Sequence, residues 1–288
     1  MHQSCLVCAS TELTDLKNYQ KAYLCQCNSC NFIFSRKIPS DKDLKRYYSD
    51  DYDRTRYFSH ITYQRYKELL LSFESSRKTN KILDIGCGYG FFLTVAKELG
   101  WEVYGTELSN KAAEHCIKNG ISMHLGDLDT NTFSEHEFDV IVAIELIEHI
   151  NTPKAFAEQT HRLLRKGGKL YITTPNFNSI LRYRLKEKSD IIEFPNHLTY
   201  FTPKTLKHLF TKNGFKTLNI KTTGLSITRI KTSKGISNQE FVSETSDDEM
   251  IRYKIENNAL LRLFKRIINW KLNLFKIGNS LKGTFEKC

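Results

Sequence analysis

From Lys81 onward the chain alternates short apolar runs with stretches of helical periodicity. Ile82-Leu83-Asp84-Ile85 reads as a strand, Gly86 to Gly90 as a turn, and Phe91 to Leu99 as a helix closed by Gly100. Glu102 to Glu107 is a second strand, followed by a helix over Asn110 to Lys118 with a stop at Gly120. Further strands fall at Ile121 to Leu125, Phe138 to Ile144 and Lys169 to Thr173, with a helix from Pro153 to Leu164 before the last. This rhythm predicts βαβ units, and hence an α/β fold with a parallel sheet flanked by helices. After a less regular stretch from Pro175 to Tyr200, a helix is expected over Pro203 to Asn213 and a sixth strand over Phe215 to Thr222. Ser233 to Met250 is polar and acidic and reads as a loop, Ile251 to Ile277 as a basic amphipathic helix or helix pair, and Ser280 to Phe285 as a final strand.

The first residues follow another pattern. Five of the eight cysteines (Cys5, Cys8, Cys25, Cys27, Cys30) stand there, with short β-like pieces at Tyr23-Leu24 and Phe32-Ile33-Phe34. Cys5-x-x-Cys8 and Cys27-x-x-Cys30 are two thiolate pairs 18 residues apart, a spacing that lets two knuckles converge on tetrahedral zinc. Four sulfur ligands leave no open position, so the expected Zn2+ is structural. Cys25 is a fifth candidate that breaks the simple count. Residues 1–37 are therefore read as a zinc-ribbon module and 38–78 as a helical connector, with Ser40 capping a helix near Asp41 and a second helix over Tyr63 to Phe73. Residues 79–232 form the expected core, and 233–288 the acidic loop, the basic helical segment and the final strand.

Composition changes this picture little: 40% hydrophobic and 26% charged residues are ordinary for a soluble domain. No apolar run is long enough to span a bilayer, and the N-terminus lacks a basic region followed by an apolar stretch, which leads to the expectation of a cytoplasmic protein. The formal charge of +11 suits anionic partners, and much of it is local, with nine Lys or Arg against Glu256 and Glu286 between Ile251 and Cys288. There, Leu260, Leu263, Phe264, Ile267, Trp270, Leu274 and Phe275 share a helical stripe among basic residues. Two readings stand: a helix packed on the domain, or peripheral contact with a membrane or partner.

The chemistry starts at Asp84-Ile85-Gly86-Cys87-Gly88-Tyr89-Gly90, where glycines at a strand-to-helix turn let backbone approach a ligand. Glu107, 17 residues after Gly90, stands where a carboxylate can accept both hydroxyls of a ribose. The alternating glycines differ from the G-x-G-x-x-G that seats a pyrophosphate, and Asp84 precedes them by two residues. The pattern resembles class I S-adenosylmethionine-dependent methyltransferases, whose fold is a Rossmann-like sheet. Glu145-Leu146-Ile147-Glu148-His149 and the run Leu163 to Leu170 followed by Thr174-Pro175-Asn176 are also typical of that family. The resemblance implies that Asp84 holds the methionyl amine, that Gly86, Gly88 and Gly90 pass the methionine part, and that Glu107 binds the ribose. It further implies that Asp127 and Leu128, in Gly126-Asp127-Leu128, meet the adenine and that Glu145 lies beside the cofactor.

Methyl transfer to a hydroxyl or carbon acid needs a base, and histidine is the natural one. His149, and His197 in Phe194-Pro195-Asn196-His197-Leu198-Thr199-Tyr200-Phe201, stand where this fold builds its substrate pocket. The second stretch resembles a segment of ubiquinone-pathway O-methyltransferases and deoxysugar methyltransferases. His197, His149 and Tyr200 are thus the catalytic candidates, the alternative being that they organise the pocket. The resemblance implies a small-molecule acceptor methylated on an O or C atom, such as a sugar, a nucleotide-linked sugar or a related metabolite. RNA is the alternative acceptor, with the ribbon as recognition module; against it, Lys17, Lys21, Arg36 and Lys37 are dispersed among Glu12 and Asp15. A third reading is a cofactor-binding scaffold without turnover.

Overall fold

The computed structural model describes residues 1–40, 58–128, 132–224 and 247–288. The expected helix near Asp41, and the acidic loop up to residue 246, lie outside them.

The N-terminal segment forms three strands, β1 (Leu13–Asp15), β2 (Leu24–Cys27) and β3 (Ile33–Ser35), paired antiparallel in that order. The β-like pieces read from the sequence are displaced by a residue or more, and β1 had no apolar signal because two of its three residues are exposed. A fourth strand completes this sheet from far along the chain: β9 (Thr199–Tyr200) pairs antiparallel with β3, setting Ile33 opposite Tyr200 and Phe34 opposite Thr199. The boundary expected at residue 37 therefore separates strands of one sheet. Phe201 packs on Phe32 with ring centroids 5.1 Å apart, and both rings are buried. Burying such a ring is worth about 1.5–3 kcal/mol, comparable to the roughly 1–3 kcal/mol of two backbone hydrogen bonds, so packing and pairing share the attachment.

The larger sheet has seven strands in the order β10-β11-β8-β7-β4-β5-β6. These are β4 (Lys81–Ile85), β5 (Glu102–Glu107), β6 (Ser122–Leu125), β7 (Phe138–Ile144), β8 (Leu164–Pro175), β10 (Phe215–Thr223) and β11 (Ser280–Lys287). β4 to β8 are mutually parallel, as the alternation predicts, while β11 runs antiparallel between β8 and β10. The final strand is thus an interior strand, and a boundary at 232 cuts through the chain of one sheet.

Helices cover both faces: α1 (His60–Leu71), α2 (Phe91–Glu98), α3 (Asn110–Lys118), α4 (Pro153–Leu163), α5 (Ile180–Leu185) and α6 (Pro203–Lys212). The central strand β7 is apolar on both sides: Ile141 and Ala143 join the layer holding Phe156, Leu209 and Phe210, whereas Val140 and Val142 join the layer holding Leu70, Phe92 and Val95. Helix α1 starts three residues before its expected beginning because Ser59 caps it, accepting the Thr62 N–H at 3.1 Å. Strand β8 starts five residues early. Asp139, fully buried, is paired with Arg165 and accepts the backbone N–H of Lys78 and Asn80, which draws the Leu164–Gly168 segment out of helix and onto the sheet.

Beyond the undescribed segment come α7 (Asp247–Glu256) and α8 (Ala259–Leu274), so the expected helix pair is present and residues 247–250 are helix, not loop. The break falls at Asn258, whose side chain accepts the N–H groups of Leu260 and Leu261. Among the described residues, no helix is long and apolar enough to cross a membrane.

Candidate active site

The ends of β4 and β5 hold the acids that the sequence singled out. Asp84 is 3% exposed, and its Oδ1 has no hydrogen-bond partner among the described residues. Burial, reinforced by the charge of Glu107, pushes its pKa well above the usual carboxylate range. A buried, unpartnered carboxyl oxygen is costly unless a ligand completes it, and an ammonium is the complement such a group favours. Glu107 is more fully engaged: Oε1 accepts the N–H groups of Leu108 and Ser109, and Oε2 accepts the Gly88 N–H at 2.8 Å. Oε2 retains acceptor capacity for a hydroxyl.

The loop between them depends on its glycines, and Gly86, Gly88 and Gly90 all have positive φ. At Gly86 a Cβ would approach Leu146 Cδ1 to 2.8 Å, so this residue lets the glycine loop close on the segment after β7. At Gly88 a Cβ would meet nothing within 4 Å, so the backbone borders open space that a ligand can enter. Cys87 and Cys116 brace the loop: the Cys116 thiol donates to the Gly88 carbonyl at 3.3 Å, and Cys87 approaches Met123. Tyr89 stacks edge-on against His115 at 5.3 Å between centroids. Asp127 is exposed after β6, whereas Leu128 packs against the core.

Past β7 the chain turns sharply. Glu145 has a φ of 52°, held by its N–H bonding to the Thr173 carbonyl, and a 3-10 turn over Ile147–His149 follows. That turn receives the segment from Asn196 to Thr199: Leu198 N–H donates to the Glu148 carbonyl at 2.7 Å, and the Thr199 hydroxyl to the Ile147 carbonyl at 2.8 Å. His149 and His197 are brought together, their ring centroids 5.0 Å apart. His149 Nδ1 bonds the Asn196 carbonyl at 2.8 Å, and His197 Nδ1 bonds the Ile191 carbonyl at 2.8 Å. A carbonyl only accepts, so Nδ1 carries the proton on both rings and Nε2 is the acceptor nitrogen. Burial, then the neighbouring His197, pushes the His149 pKa down to about 4, which keeps that ring neutral. Glu148, His149 and His197 place one ligand atom each within 4.8 Å of one another, an oxygen and nitrogen set of the type that also holds divalent cations.

Tyr200, in contrast, is 4% exposed and packs on Phe177 and the ribbon side of β3. Its hydroxyl donates to the His197 carbonyl at 3.0 Å, and burial pushes its pKa upward. Tyr200 is thereby bonded to the backbone that carries His197. Ser35 N–H also donates to the Leu198 carbonyl at 2.7 Å, so the ribbon bonds directly to the segment that bears the histidine. Two ionisable groups near the site gave no sequence signal: Tyr66 on α1, buried near the charges of Asp84 and Glu145, and Lys282 on β11, near Glu145. Neither belongs to a motif, and only the folded sheet with α1 against it brings them in. A cleft of ≈ 700 Å³ opens between the ribbon and Phe177, Arg182 and His208, but Asp84, Glu107, His149 and His197 are not among the residues lining it.

The four expected zinc ligands converge, their sulfurs all within 4.8 Å of one another, with Cys5 to Cys30 and Cys8 to Cys27 at 3.5 Å. Zn–S bonds of about 2.3 Å in a tetrahedron put sulfurs roughly 3.8 Å apart, so these thiols fit a structural zinc with little adjustment. Cys25 stands outside the set: fully buried, its thiol donates to the Phe34 carbonyl at 3.6 Å, and burial pushes it up to about 12.

The model of a family described as a methyltransferase domain matches residues 56–220, more than half of the chain. A ubiquinone biosynthesis O-methyltransferase of Idiomarina loihiensis is 30% identical over 105 residues, which cover 34% of this chain and 43% of that relative's length. Among solved structures, a SAM-dependent methyltransferase from Archaeoglobus fulgidus aligns with a TM-score of 0.52 at 20% identity, covering 79% of this chain and 93% of that one. A geranyl diphosphate C-methyltransferase from Streptomyces coelicolor aligns with a TM-score of 0.54 at 13% identity, covering 80% of each chain. The fold is that of a class I S-adenosylmethionine-dependent methyltransferase. The chain belongs to the methyltransferase-domain family.

Proposed function

We propose that the protein transfers a methyl group from S-adenosylmethionine to an oxygen or carbon atom of a small molecule, and that the acceptor is a sugar, a nucleotide-linked sugar or a related metabolite. The observation that carries this reading is the pair of adjoining half-buried histidines, each donating its Nδ1–H to a backbone carbonyl, so that Nε2 is the unprotonated, basic nitrogen of either ring. Bound S-adenosylmethionine supplies an electrophilic methyl on a sulfonium. Asp84 meets the donor's ammonium and Glu107 its ribose, while the glycine loop leaves room for the methionine part. On the acceptor side, His197 Nε2 takes the proton of the attacking hydroxyl or carbon acid, and neutral His149 holds the adjoining position. Tyr200 and the ribbon keep His197 in place. The positive charge suits a nucleotide-linked acceptor, and a thiolate zinc site suits the reducing conditions of the cytoplasm, where we place the protein.

The test is a methyl-transfer assay over nucleotide sugars, free sugars and phenolic acceptors, run beside RNA. His197→Ala is expected to keep S-adenosylmethionine affinity within about twofold while lowering turnover roughly 100-fold, the usual range for losing a general base. Transfer to RNA alone would overturn the small-molecule reading, and donor binding with no product from any acceptor would favour a scaffold.

A further inference from the structure

Helix α8 is attached inside out. Its polar side faces the protein: Asn269 accepts the Gly224 N–H at 2.9 Å, and Asn273 accepts the Thr222 N–H at 3.0 Å, with Leu272 as its only buried side chain. Its apolar side faces outward. Leu260, Leu263, Phe264, Ile267, Trp270 and Leu274 recur at helical spacing, and each is between 44% and 77% exposed. A helix fixed to its own domain buries this stripe, so an outward one calls for an external occupant.

The charges select that occupant. Arg266 borders the stripe and Lys271 lies within it, Arg262 stands on the side of Asn269 and Asn273, and Ala259–Leu274 contains no acidic residue. A second copy docked through the same face would bring these cations against their own equivalents, and a nucleic acid has no use for six apolar side chains. An anionic lipid surface matches both halves of the pattern, apolar residues entering the acyl boundary and cations meeting headgroups. The helix is about 24 Å long, sufficient to lie in the interface plane but, with its charges, not to cross it. We propose that α8 is an interfacial helix that docks the protein on an anionic membrane. The loop after β8 is tied to the end of this helix, Asn176 donating to the carbonyls of Lys276 and Gly278, so docking also fixes how the carboxyl edge of the sheet faces the lipid.

The protein contains its own reporter, since Trp101 is 3% exposed and Trp270 is 63% exposed. The experiment is sedimentation of the full chain with vesicles of phosphatidylcholine, with and without phosphatidylglycerol, while tryptophan emission is recorded. Expected results are association with the phosphatidylglycerol vesicles, weakened by salt, and a blue shift that Trp270→Phe removes without abolishing association. Phe264→Asp is expected to weaken binding roughly tenfold or more, in line with losing a buried ring, and Arg266→Glu with Lys271→Glu to remove the preference for anionic lipid. Unchanged far-UV circular dichroism and thermal unfolding of these exposed-face variants show that they fold. The proposal is overturned if the wild-type protein ignores both vesicle types, if Phe264→Asp binds as well as wild type, or if the stripe instead mediates a concentration-dependent dimer. None of these readouts depends on the methyltransferase reading.

Discussion

Glu107, at the end of β5, accepts the backbone N–H of Gly88 at 2.8 Å, so the acid proposed for the ribose also holds the glycine loop in shape. Its removal therefore acts twice, taking a ligand acceptor away and freeing the loop. Glu107→Ala is expected to weaken S-adenosylmethionine binding by about 10- to 100-fold, the worth of one or two hydrogen bonds to a charged group. Calorimetric titration measures this, and an affinity equal to wild type would remove Glu107 from the cradle.

Asp84 predicts a proton balance. In the free protein its carboxyl keeps its proton to a higher pH than an ordinary aspartate, because burial and then Glu107 disfavour the ionised form. A ligand ammonium against Oδ1 favours ionisation, so binding releases a proton, and affinity rises with pH across the window in which the free carboxyl is still protonated. Titrations in two buffers of different ionisation enthalpy count the protons. Release that disappears in Asp84→Asn is the expected outcome, and proton uptake on binding would place the ammonium elsewhere.

The parallel half of the sheet was legible because its signals are local: Gly100 and Gly120 stop helices, and Val140 to Ala143 reads as an apolar run whichever layer each residue enters. The placing of Asp84, the glycines and Glu107 at or just after strand ends was legible for the same reason. Position within the sheet was not. Ser280 to Lys287 alternates like an edge strand, yet it fills the gap between β8 and β10 because hydrogen-bonding partners are chosen across the chain. The β3–β9 pairing escaped detection because Thr199–Tyr200 contributes only two residues, too few to show a strand's alternation. For α8, periodicity assigned residues to one face but not which face meets the protein.

The ribbon should matter to catalysis without touching the reaction. Cys27→Ser with Cys30→Ser removes two of four zinc ligands, and structural zinc is worth on the order of 10 kcal/mol to a small module, so residues 1–37 are expected to unfold. Because β9 pairs with β3 and Ser35 bonds Leu198, the segment bearing His197 loses its support in turn. Zinc analysis should show loss of the metal, and hydrogen exchange should show faster exchange at Leu198 as well as in the ribbon. S-adenosylmethionine binding should survive while turnover falls. Full metal content in the double variant would refute the ligand assignment, and unchanged exchange at Leu198 would refute the coupling.

His149 sets a pH dependence of folding. Its pKa is about 4 in the folded chain against 6.5 for an ordinary histidine, with burial as the first cause and His197 as the second. Between these values the unfolded state binds the proton more readily, so stability falls as pH drops from about 6.5 toward 4 and is insensitive to this group above 6.5. The whole effect is at most about 3 kcal/mol. His2 and His161 are also shifted downward by burial, so the difference between wild type and a His149→Gln variant isolates this group. Urea denaturation at several pH values should show the two curves converging as acid is added, with the variant losing less stability over this window. Parallel curves would mean that His149 is as accessible to protons in the folded chain as in the unfolded one, and its role as a neutral neighbour of His197 would fall with that result.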